Sequence, residues 1–211
     1  MTSAREYYRN HYVDQERRAV GPEEEATFEL RMRAAQRAIG PVARQILDFG
    51  CGTGAAASVL AAAGHKVVGV DVSDTGLRVA RRNARSATFV SIETESCLPF
   101  SDRAFDVCLC TEVLEHLVDV TGFIAEIHRV LDSNGLFIIT VPFHGWVKNV
   151  LVVTLNFERH FDPTWGHIRF FSKRSLFQSL ENGGFDIEQF QGIGRFWPVW
   201  KSMFVLARRC G

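Results

Sequence analysis

The chain has 211 residues and balances 24 Lys and Arg against 24 Asp and Glu, so its formal net charge is zero. At about 100–200 residues per domain this is one domain with room for an insert, and at this size about 70% of the unfolded surface goes inside. A hydrophobic content of 46% with 23% charged residues excludes wholesale disorder, and the neutral balance gives no overall electrostatic drive toward nucleic acid.

The five cysteines, at 51, 97, 108, 110 and 210, are odd in number and contain no C-x-x-C pair. That pattern predicts reduced thiols in a cytoplasmic chain, with neither a disulfide framework nor a metal site. The opening MTSAREYYRNHYVDQERR lacks the apolar centre of a signal peptide. The apolar run 149–157 is far shorter than the ~20 residues of a spanning helix.

Taken in order, residues 45–49 form a short apolar run ending in glycine and read as a buried strand. The Ala-rich stretch 55–63 suits a helix packed closely on a sheet, and 65–71, with Val67, Val68 and Val70, is the next strand. A helix over 74–86, a strand over 87–92 and a strand over 105–110 follow. Apolar residues at helical spacing predict a helix over 122–131, closed by the turn signal Asn134-Gly135 and followed by a fifth strand, 136–141, stopped at Pro142. Residues 145–157 read as an inserted helix and 173–182 as a helix ended by Gly183-Gly184; 185–191 and 199–207 read as the last two strands. Strands alternating with helices predict an α/β fold: a mostly parallel sheet with helices on both faces. In such sheets ligands bind at the carboxyl ends of the strands.

At the first such end stands Asp48-Phe49-Gly50-Cys51-Gly52-Thr53-Gly54, a glycine turn that lets a ligand approach the backbone. Asp71 ends the next strand, where a carboxylate can accept hydrogen bonds from both hydroxyls of a ribose. A dinucleotide and S-adenosylmethionine both fit this pairing. The first brings a pyrophosphate to the helix N-terminus, whereas the second brings a cationic amino group that Asp48 is placed to meet.

Four blocks, ILDFGCGTG (46–54), VVGVDVS (67–73), LPFSDRAFDVCLCTEVLEHL (98–117) and EIHRVLDSNGLFIITVPF (126–143), resemble the class I S-adenosylmethionine-dependent methyltransferases. The similarity is to the branch that contains the ubiquinone and menaquinone biosynthesis enzymes. It implies a Rossmann-like seven-stranded fold with an antiparallel last strand and S-adenosyl-L-methionine as cofactor. It assigns Asp48, Gly50 and Gly52 to the methionine part of the cofactor, Asp71 to the ribose and Val72 to the adenine face, with Cys51 also among the cofactor-binding residues. Thr111 and Glu112 would close the site, while Asp106 would tie down the start of the fourth strand. Where the family often carries an Asp for the adenine amino group, this chain has Thr94 followed by Glu95.

Methyl transfer to a hydroxyl is helped by a general base, and His suits neutral pH. The candidates are His144, directly after the fifth strand, and His160 and His167 in the segment HFDPTWGHIRF. His65 and His128 read as structural and surface residues. All four Trp and ten of the seventeen Phe lie from Phe143 onward, as core or as acceptor-pocket lining. The organisation expected is a single domain: an N-terminal helical lid (1–40), a cofactor-binding core (41–143), an acceptor-side insert (144–172) and a C-terminal helix and hairpin (173–211). The acceptor expected is a small molecule (a sugar, lipid-linked glycan, quinone or polyketide-like compound) methylated on oxygen, with peripheral contact to a lipid-linked substrate in view. A nitrogen or carboxylate acceptor, a non-catalytic cofactor-binding subunit and a nicotinamide oxidoreductase are the competing readings. Oligomeric state is not legible.

Overall fold

The computed structural model describes residues 21–155 and 168–211. Helix α1 (Pro22–Ile39) opens with Pro at its first turn and Glu23, Glu24 and Glu25 behind it, and it ends at Gly40 with φ +76°. Acids at the amino end suit the helix dipole. Strand β1 (Gln45–Phe49), helix α2 (Ala55–Ala62), strand β2 (Lys66–Asp71), helix α3 (Asp74–Asn83) and strand β3 (Thr88–Ser91) build the first half. Strand β4 (Phe105–Thr111), a 3₁₀ turn (Leu114–His116), helix α4 (Val120–Val130) and strand β5 (Leu131–Pro142) follow. Helix α5 (Trp146–Leu155), helix α6 (Lys173–Asn182) and the hairpin of β6 (Phe185–Ile193) and β7 (Ser202–Arg209) complete the described chain.

The seven strands lie in the order β3-β2-β1-β4-β5-β7-β6. Neighbours from β3 through β5 are parallel, and β7 runs antiparallel to both β5 and β6. The expected seven-stranded Rossmann-like sheet with one reversed strand is therefore present. The chain steps outward from β1 to β3 and then crosses to β4 on the other side of β1, so the switch in strand order lies between β1 and β4.

Successive residues of each strand enter opposite cores, as the two-residue period of a pleated strand requires. Cys108 and Cys110 of β4, Phe137 and Ile139 of β5, and Val205 of β7 pack with Phe123 and Ile127 of α4 and Leu176 and Leu180 of α6. Val107, Leu109, Ile138 and Phe204 face the other way, onto Met32 and Ala35 of α1, Ala57 and Leu60 of α2, and Leu77 and Ala80 of α3.

Several boundaries differ from the sequence reading. β5 begins at Leu131, immediately after α4, because Asn134 (φ +64°) and Gly135 bend the strand instead of separating two elements. Pro142 stays in β5, paired with Ser202. α3 ends at Asn83, whose side-chain amide donates to Thr53 O (3.0 Å) and thereby ties α3 to the glycine turn. β7 starts three residues late, at Ser202. His128 is not a solvated surface residue: its ring meets the Phe185 ring edge-on at 5.5 Å. Among the described residues no helix is long and apolar enough to cross a membrane.

Candidate functional site

The glycine turn lies at the carboxyl end of β1, beside the topological switch. Gly50, Gly52 and Gly54 take φ of +71°, +51° and +80°, a region that side chains with a Cβ avoid at a cost of about 1–2 kcal/mol. A Cβ on Gly50 would stand 2.5 Å from Val113 Cγ2, and one on Gly54 would stand 2.9 Å from Ala80 Cα. The Gly50 and Cys51 amides both donate to Val70 O (2.9 and 3.0 Å), which anchors the turn to β2.

Asp71, 5% exposed, accepts from the Gly52 amide (2.9 Å) and the Ser73 amide (2.8 Å). It therefore shapes the glycine turn. Val72 packs partly buried against the core next to it. Asp106 accepts from the Gln45 amide at 2.7 Å and so pins the start of β1 to the start of β4.

Asp48 is 1% exposed, and its Oδ2 has no hydrogen-bond partner. Burial, with the Asp71 carboxylate nearby, raises its pKa from 3.8 to about 7, opposed by the Ala57 amide. Burial likewise pushes the Cys51 thiol far up, so that side chain is packing and not a nucleophile.

At the end of β4 Thr111 is half-buried, and Glu112 takes φ +54° while its amide donates to Thr140 O (2.8 Å). A non-glycine residue held in this region stores strain of about 1–3 kcal/mol, a common mark of functional sites. Glu112 Oε2 meets Arg31 Nη2 of α1 at 3.0 Å, and Arg31 also donates to Ser202 Oγ (2.7 Å). Glu112 Oε1, both carboxylate oxygens of Glu115 and Thr140 Oγ1 are buried without hydrogen-bond partners. Burial raises the pKa of Glu112, with Arg31 as the main opposing influence; burial and the Glu112 charge raise that of Glu115 further. Buried polar atoms left this way cost about 1–3 kcal/mol each unless a ligand or water meets them.

Thr94 and Glu95 lie half-buried in the connection from β3 to β4, with Thr94 Oγ1 3.3 Å from Ser96 Oγ. His144 follows β5 and meets the Phe170 ring edge-on at 4.8 Å. His160 and His167 lie outside the described residues. Just beyond them the Ile168 and Arg169 amides donate to Glu115 O, and Arg169 Nε donates to Leu117 O (2.8 Å), which fixes residues 168–169 against the 3₁₀ turn.

Sequence reasoning missed Arg31, Glu115, Thr140, Lys148 and Ser202. A signal existed for two: Glu115 shares its motif with Glu112, and Lys148 is the single charge in 145–157. A hollow of about 510 Å³ bordered by Arg33, Arg37 and His65 lies at the amino ends of the strands, away from these groups.

Residues 47–139 match the family model described as a methyltransferase domain. The match spans the glycine turn and most of β1 through β5, and it agrees with the resemblance to the S-adenosylmethionine-dependent methyltransferases. The chain is 29% identical over 166 residues to a Mycolicibacterium smegmatis protein described as a probable S-adenosylmethionine-dependent methyltransferase, covering 76% of this chain and 58% of that one. It is 33% identical over 109 residues to the demethylmenaquinone methyltransferase of Tropheryma whipplei, covering 51% of this chain and 46% of that one. Against the ubiquinone biosynthesis O-methyltransferase of Thiobacillus denitrificans it is 26% identical over 171 residues, covering 78% and 74%. The chain thus spans about half the length of the first two of these relatives. The magnesium protoporphyrin IX methyltransferase of Synechocystis, solved with bound S-adenosylhomocysteine, shares the fold at a TM-score of 0.74 and 18% identity, with 97% of each chain covered.

The residues present fit S-adenosylmethionine. Its ammonium and sulfonium are cations, and the carboxyl ends of β1 and β4 carry buried acid oxygens without partners at Asp48, Glu112 and Glu115.

Proposed function

We propose that this protein transfers a methyl group from S-adenosylmethionine to a hydroxyl of a small-molecule acceptor. The observation that carries the reading is the gathering of buried acid oxygens without hydrogen-bond partners, Asp48 Oδ2, Glu112 Oε1 and both oxygens of Glu115 (Oε1 lies 3.9 Å from His116 Nε2), at the topological switch of the sheet. The cofactor, when bound, supplies a methyl group already activated by a positively charged sulfur. The protein's part is then alignment and exclusion of water. In this reading Gly50, Cys51 and Gly52 line the methionine part, with Asp48 facing its ammonium. Asp71 takes the ribose, Val72 the adenine face, and Thr94 or Glu95 the adenine edge. Thr111 and Glu112 separate the cofactor from the acceptor. α1 is the lid over this end of the sheet, held there by the Arg31–Glu112 pair.

For a hydroxyl acceptor a base that takes its proton raises the rate. His144 at the exit of β5 is the described candidate; His160 and His167 are the other two. Free thiols at all five cysteines suit a cytoplasmic setting. The exposed apolar residues Trp146, Val150 and Val153, at helical spacing on α5, favour an acceptor with a lipid or other apolar part.

The test is transfer of labelled methyl from S-adenosylmethionine to a panel of catechols, quinols and glycosides. Transfer to a hydroxyl, reduced at least tenfold by His144→Ala, His160→Ala or His167→Ala, supports the reading. Transfer that none of the three variants alters refutes the general-base assignment. Cofactor binding without turnover on any acceptor would favour the non-catalytic subunit.

A further inference from the structure

Beside Glu112, a second group of charges gathers where α1, α5 and the β6–β7 connection meet. Lys148 Nζ of α5 donates to Phe143 O at 2.8 Å. Arg195 and Lys201, from the β6–β7 connection and the approach to β7, both lie within electrostatic reach of it, and both hold the same oxygen of Glu23, at 2.9 and 3.2 Å. Arg31 is already spent on Glu112. Four cations, Arg31, Lys148, Arg195 and Lys201, therefore share two carboxylates, Glu23 and Glu112.

The surplus falls on Lys148. An ammonium has three donors, and Lys148 donates one hydrogen bond, to the neutral Phe143 carbonyl. Burial and the two neighbouring cations lower its pKa to about 8, with Glu112 pulling the other way. A half-buried cation facing like charges is stabilised by any anion that enters. Glu23 shows what kind: an exposed carboxylate, 62% accessible, bridging a guanidinium and an ammonium. Exposed aromatics flank the corner, Trp146 two residues before Lys148, and Phe196 and Trp197 directly after Arg195.

We propose that Lys148, Lys201 and Arg195 form a subsite for an oxyanion, carboxylate or phosphate, carried by the acceptor, with Glu23 holding that place while the acceptor is absent. The inference rests on the reading of the carboxyl end of the sheet as the methyl-transfer site, because Glu112 joins the two groups. It narrows the acceptor to an anionic compound whose apolar part meets the flanking aromatics.

The experiment titrates benzoate and, separately, inorganic phosphate into the full chain at low ionic strength, followed by tryptophan fluorescence. Lys148→Met and Lys201→Met should each weaken the Kd about tenfold or more, the usual loss for a charge-assisted hydrogen bond. Glu23→Gln should tighten it about two- to fivefold by removing the competing carboxylate. Opposite responses from these variants cannot come from loss of folding. Saturable binding of benzoate alone identifies a carboxylate acceptor, and of phosphate alone a phosphorylated one. No saturable binding of either probe, or one Kd across all variants, overturns the subsite. S-adenosylhomocysteine is titrated on the same samples. Its failure to bind the wild type would refute the methyl-transfer reading, and with it the acceptor role, while leaving the anion titrations readable on their own.

Discussion

Asp48→Asn separates the site's function from its stability. The folded pKa of Asp48, about 7, lies above the unfolded value of 3.8. The ligand-free folded protein therefore binds this proton more tightly than the unfolded chain. The resulting stabilisation is fully present below about pH 4 and is lost as the pH rises through about 7. At about 1.4 kcal/mol per pKa unit, holding the carboxylate ionised in the empty site costs about 4 kcal/mol. Asparagine removes that charge. At about pH 8 the ligand-free variant should unfold with a free energy about 2–4 kcal/mol larger than wild type, the lower figure allowing for weaker hydrogen bonding by the amide. The same change removes the anion that meets the ligand's ammonium, so affinity for S-adenosylhomocysteine should fall about 10–100-fold. In the wild type, affinity should fall about tenfold between about pH 8 and about pH 6 as the carboxylate protonates, and in the variant it should stay flat. Urea unfolding at both pH values and calorimetric titration across them measure all four quantities. A variant less stable than wild type at about pH 8, together with a wild-type affinity that ignores pH, would refute the reasoning.

Gly54→Ala combines a φ of +80° with a Cβ 2.9 Å from the Cα and Cβ of Ala80, atoms that cannot rotate away. It should cost about 2–5 kcal/mol, and thermal unfolding should show a Tm lowered by about 2–4 °C per kcal/mol; an unchanged Tm would contradict the packing described. Asp71→Asn places an amide donor against one of the two backbone amides that Asp71 holds. The expected loss is about 1–3 kcal/mol in the urea midpoint, with weakened S-adenosylhomocysteine binding in parallel. Arg129 clasps Glu126 (2.6 Å), Asp102 (2.7 Å) and Phe100 O (2.8 Å), so Arg129→Met should release the 98–102 segment from α4. With the side chain one-third exposed, we expect about 1–3 kcal/mol and faster amide exchange at Leu98 and Phe100, which exchange insensitive to the substitution would contradict.

The glycine turn and the inner strands were legible because they obey local rules. Each of β1, β2 and β4 is a short apolar run bounded by polar or glycine residues, and Asp48, Gly50 and Asp71 fall at strand ends where α/β sheets place ligands. The start of β5 was not legible. Asn134-Gly135 is a turn signal in isolation, yet Leu131 pairs with Phe105 of β4 and Leu136 with Val107, so the residues between them bulge within one strand. The Arg31–Glu112 pair and the Lys148 corner were hidden for another reason. Their members come from α1, the residue after β4, α5 and the β6–β7 connection, and only the finished sheet brings them together. Asp71 shows a subtler gap: its position suggested a ligand contact, while its bonds to Gly52 and Ser73 became visible only with the backbone in place.

The central claim is that the carboxyl ends of β1 and β4 hold an S-adenosyl cofactor through acid groups. Calorimetric titration of the wild-type chain with S-adenosylhomocysteine, against NADH and against Asp48→Asn, tests it most directly. The account predicts micromolar binding of S-adenosylhomocysteine, no binding of NADH, and a heat signal lost or strongly weakened in the variant. Absence of binding to a folded wild-type protein, or binding of NADH in its place, would contradict it.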